Sequence, residues 1–279
     1  MAKSQYFPRL FSVDNAKAAK ASGYGYLNAI HYMAPANLAG VGNLCPKATE
    51  ACKAHCLGWF SGHASMVKDI EKDINSVRQS RIEKARLFMT DRNEYMNRLT
   101  RDIVKICRKA KREGLKPCIR LNGTTDIAFE RIAFKLDNKS KKALGIVDCA
   151  DDSLVRIVNL FPRVQFVEYT KIPERLDRAP DNLSLTLSYS GENAADCAEA
   201  LANGHNVAVV FGDGLPETFL GAPVISGDNH DLRHLDPRGC VIGLTPKGRK
   251  AQSDRTSGFV LWSDQLASVE QFAMPRLAA

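Results

Sequence analysis

Apolar residues recur along this chain in short runs closed by glycine, proline or small polar clusters, the pattern of strands buried in a sheet. The first run, YGYLNAIHYMA (Tyr24 to Ala34), has Gly25 near its start and Pro35 behind it. Further strands are expected at Cys118–Leu121, Val164–Tyr169, Leu183–Leu187, Val207–Phe211, Val224–Ile225 and Val241–Leu244, with Gly258–Trp262 as the last. Between them the period changes. Met66, Val67, Ile70, Ile74 and Val77 fall on one face at helical spacing, which predicts a helix there. A second helix is predicted from Asp91-Arg92-Asn93, with Met96, Leu99, Ile103, Ile106 and Cys107 on its apolar side and Gly114 and Pro117 as its stop. A short third covers Ala194–Ala202, closed by Asn203-Gly204.

Strands alternating with helices predict an α/β fold with a mostly parallel sheet, a complete or partial (β/α) barrel. No linker or repeat divides the chain, so residues 1–279 read as one domain. Its parts are a cysteine-bearing loop (35–62), a basic helical segment (63–116), the remaining strands and helices (117–262) and a tail (263–279). Past the strand ends the sequence is small, polar and glycine-rich. Such folds place their sites at the carboxyl edge of the sheet. Asn122, Thr124, Asp126, Ser188, Glu192, Asp228 and Lys247 are therefore the expected lining of a pocket there.

Composition narrows the class. The 279 residues are 44% hydrophobic and 25% charged, ordinary for a globular protein with a sizeable core. No apolar run approaches the roughly 20 residues that span a bilayer, and no secretory signal is visible, so a cytoplasmic protein is expected. In that compartment eight cysteines do not form a disulfide framework. Cys107, Cys118, Cys149, Cys197 and Cys240 stand singly among apolar neighbours, as small buried hydrophobes do. The net charge is +8, and residues 67–120 hold sixteen Lys/Arg against eight Asp/Glu. Helices there either grip nucleic acid or a host protein, or are solvated faces whose basic ends suit the helix dipole.

The remaining three cysteines cluster as Cys45-x6-Cys52-x3-Cys56, in the loop after the first strand. Thiolates are soft ligands for zinc or for iron–sulfur iron. The spacing differs from the short knuckles of structural zinc sites, and no second pair completes a tetrahedron. Three cysteines without an obvious fourth suit a four-iron (4Fe-4S) cluster with one iron open. Zinc completed by His55, and redox or coincidental thiols, are the alternatives. A different chemistry is spelled by Asp228-Asn229-His230-Asp231, His234 and Asp236, groups that a divalent-metal hydrolase or nuclease uses.

The strings GYLNAIHYMAPAN, NLCPKATEACKAHCL, RLNGTTDIAFE, LTLSYSGEN and ISGDNHDLRHLDPRG together resemble a phage-borne family named "gene product eighty-eight", over roughly residues 14 to 262. The resemblance implies a phage or prophage protein acting in bacterial cytoplasm and names no reaction. A looser similarity is to the radical S-adenosylmethionine enzymes. There, a three-cysteine loop after the first strand of a partial barrel binds a four-iron cluster, whose open iron is chelated by the cofactor's amino acid part. The placement of Cys45, Cys52 and Cys56 matches that scheme. Their spacing departs from the usual C-x3-C-x2-C, and Asn122-Gly123-Thr124 stands where a glycine-glycine-glutamate would. The looser likeness implies a radical-enzyme-like iron–sulfur protein with S-adenosylmethionine as a possible cofactor, and the expectation drawn here adds a nucleotide or nucleic acid as what it acts on or binds. A non-enzymatic binding module with a structural cluster or zinc is the alternative.

Overall fold

Each of the eight apolar runs forms a strand in a computed structural model that describes residues 9–13, 16–146 and 153–273. The strands are β1 (Phe11–Ser12), β2 (Tyr26–His31), β3 (Lys116–Arg120), β4 (Ala133–Phe134), β5 (Val155–Arg156), β6 (Gln165–Thr170), β7 (Leu183–Ser188), β8 (Asn206–Phe211), β9 (Thr218–Phe219), β10 (Ala222–Ser226), β11 (Val241–Leu244) and β12 (Val260–Leu261). The helices are α1 (Ala16–Ser22), α2 (Glu50–Ala54), α3 (Leu57–Phe60), α4 (Ser76–Thr90), α5 (Arg92–Arg112), α6 (Asn138–Leu144), α7 (Ile157–Leu160), α8 (Ala194–Ala202), α9 (Arg249–Gln252) and α10 (Leu266–Glu270).

Strands β2, β3, β6, β7, β8, β11 and β10 lie side by side in that order, all parallel. The two-residue β1 and β9 flank this set as antiparallel edges. Strand β12 pairs with the end of β8, Val260 opposite Val210, and β4 pairs with β5 apart from the main sheet. Spatial order thus follows chain order as far as β8 and then reverses, with β11 inside β10. Among the described residues no ladder joins the β1 edge to the β9 edge, so closure into a complete barrel is not seen there. What the chain builds is a mixed α/β fold on a large, mostly parallel sheet.

The long helices follow from local chemistry. Asp91 caps α5 by accepting the Glu94 N–H at 3.1 Å. Lys109, Lys111 and Arg112 occupy its last turn, where the dipole favours cations. Gly114 follows at φ +67°, a left-handed stop that costs glycine little. Met96, Leu99 and Ile103 are fully buried in a core shared with Ile82 and Phe88 of α4, Ala29 of β2 and Ile119 of β3. A second core packs α8 on β7 and β8 through Cys197, Leu201, Leu187 and Val207.

The helix predicted over Met66–Val77 is corrected: residues 66–75 are irregular, and α4 begins at Ser76. The cause is Arg78, whose buried guanidinium donates to the carbonyls of Trp59, Ala64, Ile70 and Asp73 at 2.6–3.0 Å. Carbonyls turned toward that cation are lost to a helical ladder. Asp69 accepts the Glu71 and Lys72 N–H groups instead, and Met66 and Ile74 stay 71% and 54% exposed. Their spacing reflects no buried face.

The segment past 262 is more than a tail, because the Glu270 carboxylate accepts the Leu220 N–H at 3.0 Å and Val269 is buried. Cys118, Cys197 and Cys240 are buried and Cys107 is half-buried, all free thiols. Cys149 lies outside the described residues. Among those residues no helix is long and apolar enough to cross a membrane.

Candidate functional site

The loop after β2 doubles back on itself. The Leu44 N–H donates to the Ala36 carbonyl at 3.1 Å, and the Ala36 N–H reaches the Cys45 sulfur at 3.3 Å. Ala36 adopts φ +46° to do so, an unusual conformation for a residue other than glycine. The same stretch is tied to the loop after β3, where the Asp126 N–H donates to the Leu44 carbonyl at 2.9 Å and Cys45 Sγ faces the Thr124 carbonyl at 3.7 Å. Cys52 lies in α2, where its N–H donates to the capping Thr49 hydroxyl at 3.2 Å. That hydroxyl donates in turn to the Ser190 carbonyl beyond β7. Cys56 occupies the N-cap position of α3. The x3 spacing of Cys52 and Cys56 suits one side of a single helical turn, but the two fall on separate elements, with Cys52 in one short helix and Cys56 at the start of the next. Gly58 makes the approach possible, since a Cβ there would lie 2.4 Å from Thr124 Cγ2.

All three cysteines line one cavity of about 210 Å³ over the carboxyl ends of the parallel strands. Burial is the main reason that the Cys45 and Cys56 thiols are pushed up to about 11 and about 12, and the neighbouring cysteines push in the same direction. Lys171 lines the same cavity and opposes those shifts. Two buried polar atoms of the lining have no partner among the described residues, the Tyr169 hydroxyl and His55 Nδ1. The Tyr169 ring lies under the Arg120 guanidinium at 4.6 Å. His55 is fixed by Asp254, 3.1 Å from Nε2, and by stacking on Phe259.

Of the expected lining, Asn122, Thr124, Asp126 and Ser188 reach this cavity. Asn122 and Asp126 serve largely as scaffold. The Asn122 carboxamide closes its own loop, accepting from Thr125 Oγ1 and the Ile127 N–H. The Asp126 carboxylate accepts from Thr170 Oγ1, the Lys171 N–H and Arg175 at 2.7–2.9 Å. Glu192, Asp228 and Lys247 are not brought there. Glu192 lines a separate acidic groove with Asp196 and Glu199. Asp228 pairs with Lys247 at 2.7 Å and accepts from Thr245. The expected lining leaves out Arg120, the last residue of β3, Tyr169, the next to last of β6, and Lys171, the first residue past β6, although all three lie at strand ends, where that rule points.

Other acid–imidazole groups diverge. His230 packs edge-on to Tyr24, His234 edge-on to Tyr26, and Asp236 lies 3.2 Å from Arg233. Among the described residues, no three His, Cys, Asp or Glu side chains are placed to share a single metal ion. Zinc needs its ligands at one point. A multi-iron cluster takes its thiolates on different irons and needs them around a hollow. The cysteines' donor set is that of a soft-metal or cluster site, and all three border the same hollow.

The model of the Gene product 88 family matches residues 9–261. No curated protein and no solved structure matches the chain.

Proposed function

The chain belongs to the Gene product 88 family, and on that premise we propose that it is an iron–sulfur protein whose cluster is held by Cys45, Cys52 and Cys56. The observation that carries the reading is the convergence of three thiols from one short loop on one cavity above the parallel strands. When bound, such a cluster supplies one-electron chemistry and, at an iron without a protein ligand, a place to chelate a small molecule.

The chain's own residues do the rest. Partial burial raises two of the thiols and favours their protonated form until a cationic centre displaces their protons. Lys171 sets a positive charge beside the sulfurs, suited to a ligand carboxylate. The Tyr169 hydroxyl offers a hydrogen bond that no described residue takes up. A radical-enzyme use of the site, with S-adenosylmethionine as the ligand, belongs to this proposal, and so does a purely structural cluster.

Protein purified without oxygen is expected to be brown, with broad visible absorbance and matching iron and sulfide. Cys45→Ala, Cys52→Ala and Cys56→Ala should each abolish the colour, whereas Cys107→Ala should not. Colourless, iron-free protein after anoxic reconstitution refutes the reading. Release of 5′-deoxyadenosine from S-adenosylmethionine by the reduced protein separates the radical use from the structural one.

A further inference from the structure

Beside the cysteine cavity lies a second hollow of about 570 Å³ with cationic walls. Arg9, Arg81, Lys84, Arg120 and Lys247 line it against one carboxylate, Asp231. Some of these charges are already engaged: Lys247 pairs with Asp228 at 2.7 Å, and Asp231 stands 3.9 Å from Arg120. Arg81 donates to the Gly58 carbonyl and lies over the Tyr32 ring at 4.9 Å. Arg120 donates to the Asn122 carbonyl at 3.1 Å. These bonds hold both guanidiniums in place while satisfying only part of their donors.

Lys84 is different. It is 7% exposed, and among the described residues it has neither a hydrogen bond nor an ion pair. It follows Arg81 on α4 at the i,i+3 spacing that puts two side chains on one face. Burial, and Arg81 beside it, bring its ammonium down to about 8, against the opposing pull of the Asp102 carboxylate, which forms no ion pair with it. A buried lysine next to an arginine is costly unless an anion joins them. Nothing about packing asks for a lysine here, since a methionine would fill the same space without the penalty.

We propose that this hollow is a phosphate site, taking the phosphate ester of a nucleotide-sized ligand, either free or at the 5′ end of a single strand. Two guanidiniums and a confined ammonium match a dianion with several oxygens better than a single carboxylate. The volume suits a small molecule and not a duplex. The inference does not depend on the cluster, because its cations come from α4, the end of β3, the segment before β1 and the loop after β11.

Calorimetric titration of the full chain with AMP and with adenosine tests it. AMP should bind with one site and weaken as salt rises, and adenosine should bind at least about tenfold more weakly. Lys84→Met should lower AMP affinity about tenfold with the fold kept by circular dichroism. Lys111→Met, on the exposed side of α5, should leave it unchanged. A 5′-phosphorylated oligonucleotide that outcompetes AMP identifies strand ends as the source, and one that does not identifies free nucleotide. Equal binding of AMP and adenosine, no binding of either, or an unchanged Lys84→Met overturns the proposal. If Lys84→Met fails to fold, Arg9→Gln on an exposed side chain decides: a loss of about threefold supports the site, and no loss overturns it.

Discussion

His31, the last residue of β2, is wholly buried between two partners of known polarity. Its Nδ1 lies 2.7 Å from the Leu121 carbonyl, which can only accept, so Nδ1 carries the proton and Nε2 accepts the Tyr95 hydroxyl at 2.5 Å. Burial first, and Lys84 second, hold this imidazole down to about 3. The unfolded chain takes up that proton near 6.5 and the folded chain does not. His31 therefore contributes stability that is present above about pH 6.5 and is lost as pH falls toward 3. Glu168 has the opposite sign. Burial raises it to about 7, and it accepts the Leu121 and Asn122 N–H groups. Its contribution is present below about pH 4.5 and lost as pH rises toward 7. Urea unfolding between pH 4.5 and 7 should therefore give a steeper rise of stability with pH in Glu168→Gln than in the parent, and a flatter one in His31→Gln. Parallel slopes in all three would sink this assignment.

Among the elements, the short helix α3 sets the position of Cys56, and Gly58 sets the position of α3. Thr124 cannot retreat easily from an added methyl, because its hydroxyl is tied to the Met33 carbonyl at 2.5 Å. Gly58→Ala should cost about 1–3 kcal/mol and lower the iron bound after reconstitution. Thr124→Ser in the same chain should recover part of both, since it removes the closest methyl and keeps the hydroxyl. Calorimetry and iron analysis read the two effects separately. The elements also mark what the sequence makes legible. Strands buried on both faces, such as Asn206–Phe211, announce themselves as unbroken apolar runs. Helix α5 does so through its cap and its stop. Residues 66–75 mislead because their shape is imposed by one arginine twelve positions past Met66, a tertiary effect invisible to periodicity. In the site the cysteines were legible from spacing alone. Asp228 and Lys247 were not separable from it, because a polar residue after a strand looks the same whether it faces a cavity or a neighbour of opposite charge.

At the scale of the whole molecule, the basic surplus between residues 67 and 120 is partly turned inward and partly paired at the surface, leaving Lys111, Arg112 and Lys116 exposed at the end of α5 and the start of β3. Arg78, Arg81 and Lys84 point into buried surroundings. On α5, Arg98 and Arg101 pair with Glu94, Lys105 with Asp102, and Lys109 with Glu113. A long polyanion therefore meets few unpaired cations in a row. The slope of log affinity against log salt for a single-stranded oligonucleotide should correspond to roughly one to three phosphates and not to the roughly six to ten of an extended DNA-binding surface. Filter binding over a salt series measures it, and a steep slope would restore the α4–α5 face as the contact.

The two hollows have residues in common: Leu57, Arg120, Gly123 and Thr124 border both. A partition that thin makes the compartments thermodynamic neighbours. An anion that reorients Arg120 changes the roof over Tyr169, and an occupant on the sulfur side changes the guanidinium that the anion meets. Whatever factor links the two affinities must be the same read from either side, so loading one compartment and titrating the other measures the conversation between them.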